Sequence, residues 1–264
     1  MSRDALPTPA PARRLPPFTD EHEELRDSIR RFVAAELAPN ADAWEDAHHF
    51  PDSVFPKLAE HGFLGLKYPE ALGGQGGDHL HDAVFTEELA RCGSGGLAAG
   101  IGAHVGIATP PVFKFGTGDQ HERYLRPAIA GTTIGALGIT EPDAGSDVAG
   151  IRTRAQKVDG GWVVNGSKMF ITNGGKADLI VVIARISDTE LTAFFVETNQ
   201  PGFKLEKRIH TVGVSASNTV QFSLNDAIGW HTPCRFEEAI GLLYRGRLGI
   251  AAMALGIAEK AFEL

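Results

Sequence analysis

The chain has only two cysteines in 264 residues, Cys92 and Cys234, and they lie far apart. That excludes a disulfide framework, and neither cysteine sits in a metal-type spacing. A reducing compartment follows: the cytoplasm, with the mitochondrial matrix as the alternative. Basic residues are also in deficit, 25 Lys and Arg against 33 Asp and Glu for a net charge of −8. A general nucleic-acid binder is therefore not expected. Nor is any apolar run long and uninterrupted enough to predict a membrane span, since the Ala/Gly-rich stretch 97–112 is broken by His104 and Pro110. What the length does allow is a sizeable core and about two domains.

Residues 1–17 are rich in Pro and Ala with three arginines, and they have no apolar centre. They read as a flexible tail, not as a secretion signal or a transit peptide. Asp20 should open the first helix with Glu23 as its capping partner. Its apolar stripe is Leu25, Ile29, Phe32, Val33 and Leu37, and Pro39 should end it. A second helix is expected over 53–61, stopped by Gly62. The Gly-rich segment 73–77 then serves either a ligand or a simple connection. Residues 81–91 read as a third helix, and the small-residue run 95–106 as a buried helix packed closely on a neighbour. Asp119 with Glu122 should cap one more helix.

From Thr132 the period changes to two. Ile151, Thr153 and Ala155 alternate with Arg152, Arg154 and Gln156, and Asp159-Gly160-Gly161 turns the chain back into Trp162-Val163-Val164. Strands follow at 179–184 and 191–196, with weaker ones at 203–207 and 219–223. This predicts an antiparallel β domain, a barrel or a sandwich. Arg152 and Arg154 either approach a substrate phosphate or form a solvated strand face. From Phe236 the apolar residues recur nearly all round a helix, which should therefore be buried. The fold class is α+β and multidomain: a tail (1–17), an all-α domain (18–131), a β domain (132–234) and the first helix of a further helical bundle (235–264).

Two stretches carry chemistry. The first, Leu137 to Gly150, leaves a strand at Thr140 and turns through Glu141-Pro142-Asp143-Ala144-Gly145-Ser146-Asp147. Gly145 is free to take a positive φ, and such a turn can gather backbone N–H groups and the Ser146 hydroxyl into a nest for an anionic oxygen. Alone, such a cluster is more often just a solvated turn. The second stretch is Asn165-Gly166-Ser167-Lys168-Met169-Phe170-Ile171-Thr172-Asn173-Gly174. Together the two closely resemble the signatures of the acyl-CoA dehydrogenase family, and the resemblance runs from about Phe18 to the C-terminus.

That resemblance implies FAD bound against the β domain and α,β-dehydrogenation of an acyl-CoA thioester, with electrons passed to an electron-transfer flavoprotein. It implies a homo-oligomer, tetramer or dimer. Leu137, Gly138, Ile139, Thr140, Gly145 and Ser146 would line the flavin and its pyrophosphate, and Phe170, Ile171 and Thr172 would cover its other side. The plainer alternative is that Phe170 and Ile171 are core residues, and the two motifs together favour the cofactor reading. Ser146, Tyr244 and Arg247 would contact substrate, Arg247 matching an arginine that opens the family's C-terminal bundle. Tyr244 stands where the family often has Asp. The family's catalytic carboxylate lies late in that bundle or just before the arginine, where this chain has Gly246. No catalytic base is therefore expected within it, and Glu141 is expected to be structural. The alternatives are a non-catalytic relative that binds flavin or acyl-CoA weakly, or an acyl-CoA oxidase or flavin monooxygenase of the same fold.

Overall fold

The computed structural model describes residues 17–264. The expected tail lies outside the described residues except for Pro17. Helix α1 spans Asp20–Phe32, but its cap is Thr19 and its reciprocal partner is His22. His22 Nδ1 lies 2.7 Å from Thr19 Oγ1 and 3.1 Å from the Thr19 backbone N. Imidazole thus takes the place expected for the Glu23 carboxylate. Pro39 does not stop the helical path. It sits in a 3-10 turn (Ala38–Asn40) that follows a π turn (Val33–Leu37) and feeds α2, Ala41–Asp46. A proline near the start of a helical segment loses no hydrogen bond.

Helix α3 (Val54–Glu60) buries Val54, Phe55 and Leu58 as expected, and Gly62 at φ +75° ends it. Helix α4 (His79–Ala90) is capped by Asp78, which accepts from the N–H groups of Leu80 and His81. Helix α5 (Gly95–Ala103), a π turn (His104–Ala108) and α6 (Thr109–Phe115) form one continuous path. The small residues do allow close packing: a Cβ at Gly96 would come within 2.5 Å of the Ala216 backbone. The next turn, α7 (Gly118–Gln120), is capped by Thr117 with Gln120, not by Asp119 with Glu122. Glu122 instead accepts from Arg126 at the start of α8 (Arg126–Ile129).

Seven strands follow: β1 (Gly135–Gly138), β2 (Arg154–Val158), β3 (Gly161–Thr172), β4 (Leu179–Arg185), β5 (Leu191–Glu197), β6 (Phe203–Arg208) and β7 (Thr219–Arg235). They form one sheet in the order β1-β4-β2-β3-β7-β5, with β6 also on β7 and β4 also on β5. The sheet is mixed, which corrects the antiparallel expectation. β1 runs parallel to β4, and β2 meets β4 in parallel at Arg154 and Arg185. The weak strand expected at 219–223 is instead the longest, reaching Arg235 and pairing with β3, β5 and β6. Its polar residues hid it from an apolar-pattern reading. The central strand β4 is buried on both faces. Leu179, Val181 and Ile183 join a core with residues of the preceding helical region such as Tyr68 and Leu125, while Ile180, Val182 and Ala184 join Phe194 and Phe222 within the sheet.

The last helix, α9 (Phe236–Glu263), was expected to be buried, yet only Leu242 and Gly256 are. Tyr244, Leu248, Ile250, Leu255, Ile257 and Phe262 are exposed, Leu248 and Ile250 on the side that meets a cleft. Its inner edge lies on α4, where a Cβ at Gly256 would overlap Glu87 O. Arg91 of α4 grips its end, donating to Glu259 Oε2 at 2.6 Å and to Glu263. By length and composition, α9 and the stretch Gly95–Phe115 could each cross a membrane, contrary to expectation. His104 and Pro110 fail to interrupt the second because a π turn carries the helix past them. That stretch is 67% buried and α9 6%, so the first is core to this fold.

Candidate functional site

The two signature stretches meet at the end of β1. Lys168 on β3 is fully buried, and its Nζ donates to Ile139 O at 2.9 Å and to Glu141 Oε1 at 2.8 Å. The neighbouring Met169 N–H donates to Thr140 O at 2.8 Å. Glu141 also accepts from Arg152 N, Thr153 N and Thr153 Oγ1 at 2.7, 3.0 and 2.5 Å. Burial raises the Glu141 carboxyl, but Lys168 and these donors outweigh it and hold the group below its ordinary value. Burial draws the Lys168 ammonium down to about 8 against the pull of Glu141, so the pair is ionised at neutral pH. Glu141 is thus a brace for the Thr140 turn, as expected, and no proton acceptor.

The register of β3 against β7 breaks between Lys168 and Ile171. In this bulge Phe170 takes φ +60°, unusual for a bulky residue, and projects its ring outward at 57% exposure. A strained backbone that displays an aromatic ring is expected at ligand sites. Phe170 is therefore not core. Ile171 is, at 3% exposure. Thr172 follows, half-buried, and lines a cleft. Asn173, also at positive φ, is fully buried and donates to Gly100 O at 2.7 Å, fastening the β3 end to α5.

Leu137 and Ile139 are half-buried and aim at a small apolar void shared with Leu242 of α9. Only their backbone edges are left for a ligand. Gly138 is closely packed, a Cβ there meeting Phe222 and Ile180 at 3.3 and 3.4 Å. Thr140 is half-buried, and Gly145 and Ser146 are exposed on the turn. Gly145 does not use a positive φ, because the Glu141–Ala144 backbone pairing already closes the turn. A Cβ there would meet nothing within 4 Å, so neither its φ nor its packing requires glycine, and the space beside it is open. Arg152 and Arg154 are exposed and paired with Asp143 and Asp188, a solvated face.

The cleft has a volume of about 660 Å³ and lies between α4, the Gly95–Phe115 path and α9, within the usual range for ligand sites. Its walls are mostly small and apolar, with Lys67, Arg245 and Arg247 at its polar parts. Arg247 stands midway along α9 and does not open it, which corrects the sequence expectation. Tyr244 is exposed outside the cleft lining, its ring 4.9 Å from the Arg247 guanidinium. Gly246 lines the cleft, and a Cβ there would stand 2.7 Å from Ile107 Cγ2. The cleft carboxylates, Asp78 and Asp82, are engaged: Asp78 caps α4 and Asp82 is bonded to Lys67.

Sequence reading passed over three residues that position this site: Thr153, Asn173 and His104. His104 is fully buried; its Nδ1 accepts from Gly135 N at 3.0 Å and its Nε2 donates to Ala128 O at 3.1 Å. The inward phase of Thr153, just before β2 in the alternating run 151–156, was the available signal, since an inward hydroxyl demands a partner.

Comparison with known proteins agrees with this geometry. Family models for the N-terminal and middle domains of acyl-CoA dehydrogenase match residues 19–132 and 136–227. The chain is 36% identical over 256 residues to an acyl-CoA dehydrogenase of Bacillus subtilis (strain 168), covering 93% of this chain and 67% of that protein. It is 35% identical over 259 residues to the mitochondrial long-chain specific acyl-CoA dehydrogenase of Mus musculus, covering 93% of this chain but 60% of that protein. A glutaryl-CoA dehydrogenase from Mycobacterium smegmatis, solved in complex with FADH2, superposes with a TM-score of 0.87 at 27% identity over 93% of this chain and 64% of its own. With two family models covering most of its length and a relative this similar, the chain belongs to the acyl-CoA dehydrogenase family.

Proposed function

We propose that the chain binds FAD along the outer edge of β1 and β3 and takes an acyl-CoA thioester in the cleft for α,β-dehydrogenation. The observation that carries this reading is the tie between the two signature stretches. Lys168 and Met169 hold the Thr140 turn beside the bulge, Phe170 is displayed outward, and Thr172 opens onto the cleft. Bound FAD would supply the acceptor for a hydride from the acyl β-carbon. The backbone edge of Leu137 to Ile139 and the Thr140 hydroxyl would hold the ring, and Phe170 and Thr172 would cover it. The open space at Gly145, beside Ser146, admits a pyrophosphate. Arg245 and Arg247 give the cleft the positive charge that CoA phosphates need.

Among the described residues no free carboxylate lines the cleft, so the α-proton is assigned to a base that these residues do not supply. Electrons would leave to an electron-transfer flavoprotein. The apolar outer face of α9 is the surface that assembly into a homo-oligomer would cover. A cytoplasmic setting is proposed by analogy with the Bacillus relative, the mouse relative keeping the mitochondrial matrix as the alternative.

The test is flavin content followed by anaerobic addition of butyryl- or octanoyl-CoA. Retained FAD whose spectrum shifts with acyl-CoA, and bleaches little, supports the reading. Failure to hold FAD even when it is added in excess refutes it. Rapid reoxidation of the reduced flavin by oxygen would favour the oxidase or monooxygenase alternative.

A further inference from the structure

Away from the cleft interior, the N-termini of α1 and α4 bring two histidines and an acid together. His22, Asp78 and His81 each place one ligand-type atom within 4.8 Å of the others, the only such group among the described residues. The two imidazole rings lie 4.3 Å apart. His22 is 4% exposed, and its Nε2 stands 3.9 Å from Asp78 Oδ1. The Nε2 atoms of both His22 and His81 are buried with no hydrogen-bond partner. A buried ring nitrogen without a partner is costly, and two in one cluster, His22 Nε2 towards Asp78 and His81 Nε2 towards Glu21, point to a missing ligand.

We propose that His22, Asp78 and His81 form a binding site for a divalent first-row transition metal ion such as Zn²⁺. Imidazole and carboxylate are the donors that such ions take. Oxygen partners for a second layer are within reach of both rings. His22 Nδ1 lies 2.7 Å from Thr19 Oγ1, and His81 Nδ1 lies 2.8 Å from Asp78 Oδ1. Each Nδ1 also lies 3.1 Å from the backbone N of its own cap, Thr19 or Asp78, so metal binding at Nε2 exchanges that capping bond for an N–H at Nδ1 donated to the side-chain oxygen. Glu21 Oε1, 3.5 Å from His81 Nε2 on a well-exposed side chain, is a fourth donor within reach.

Tetrahedral bonds of about 2.0–2.1 Å put donor atoms about 3.3 Å apart, so donors now within 4.8 Å of one another need to close by up to about 1.5 Å. The exposed Asp78 and Glu21 carboxylates can make that movement. Two helix N-termini would repel a cation. The acids of their first turns, Asp20, Glu21, Glu23 and Asp82, offset this, and Arg26, one turn from His22, is neutralised by Glu87 and Glu88. The ion would tie α1 to α4 at the mouth of the cleft, which Asp78 also lines.

The experiment is calorimetric titration of the untagged, chelator-treated chain with Zn²⁺, with thermal unfolding followed in parallel. One ion per chain and a rise in Tm are expected. His22→Gln and His81→Gln should each weaken binding by at least about tenfold. Asp78→Ser should do the same while keeping an oxygen that caps α4. His210→Gln, which breaks the more distant histidine pair with His48 at 5.9 Å, should change nothing. Circular dichroism of the apo variants checks that each remains folded, and any one folded variant decides the matter. Absence of saturable binding, or binding lost in His210→Gln and kept in the others, overturns the proposal. Neither result depends on flavin or acyl-CoA.

Discussion

Replacing Lys168 with methionine keeps the length of the side chain and removes its charge. Glu141 would then be a buried carboxylate, 6% exposed, without its counter-ion. Breaking one partner from a buried pair costs about 3–5 kcal/mol. Glu141 still keeps three donors from Arg152 and Thr153, which places Lys168→Met near the lower end, about 3 kcal/mol, or about 6–12 °C in Tm for a domain of this size. Trp162 on β3 and Trp230 on β7 report on the sheet, so urea unfolding followed by fluorescence reads the change directly. Adding Glu141→Gln removes the stranded charge while its amide oxygen still accepts from Thr153. The double variant should therefore lose less than the sum of the singles, with a coupling of about 1–3 kcal/mol. A loss below about 1 kcal/mol for Lys168→Met, or strict additivity, would refute the brace.

Acid should bear on the same pair. Glu141 sits below its ordinary 4.5, so its contribution is complete above that value and is lost as pH falls through the lowered one; Glu141→Gln should flatten this limb of the stability curve. His104 acts at higher pH, because burial holds it at about 4 against an ordinary 6.5. The unfolded chain binds a proton there that the folded chain refuses. Stability is therefore full above pH 6.5 and falls by about 3 kcal/mol towards pH 4, a slope that His104→Gln should remove in chemical-denaturation series. Phe170→Gly should relieve the left-handed backbone and change stability by less than about 1 kcal/mol, while FAD affinity drops by about tenfold or more in fluorescence titration. Unchanged FAD affinity would remove Phe170 from the site. Gly256→Leu, whose Cβ would overlap Glu87 O, should lift α9 from α4 and speed proteolysis within 236–264.

Much of this was legible because it rests on period and on local motifs. The switch at Thr132, the inward set Ile151, Thr153 and Ala155, and the two signature stretches all announced themselves. What escaped depends on contacts between distant residues. The parallel pairing of β1 with β4 has no marker in either strand. The length of β7 was hidden because Gln221, Asn225 and Asp226 interrupt its apolar pattern. Thr19 and Thr117 took the caps from the more obvious acids because a threonine hydroxyl with a His or Gln three residues on closes the same box. At the site, the bulge that displays Phe170 arises from the pairing of β3 with β7, and no property of the residue itself foretells it.

Helix α9 is fastened at Leu242 and at Gly256, and the cleft wall from Arg245 to Met253 lies between these points. One side of that segment meets the cleft; the other is bare. The helix therefore behaves as a shared wall. Whatever covers its outer face narrows the range of positions from which the inner face can receive a ligand. By thermodynamic reciprocity, a ligand that tightens the wall from inside must strengthen binding on the outside by the same factor.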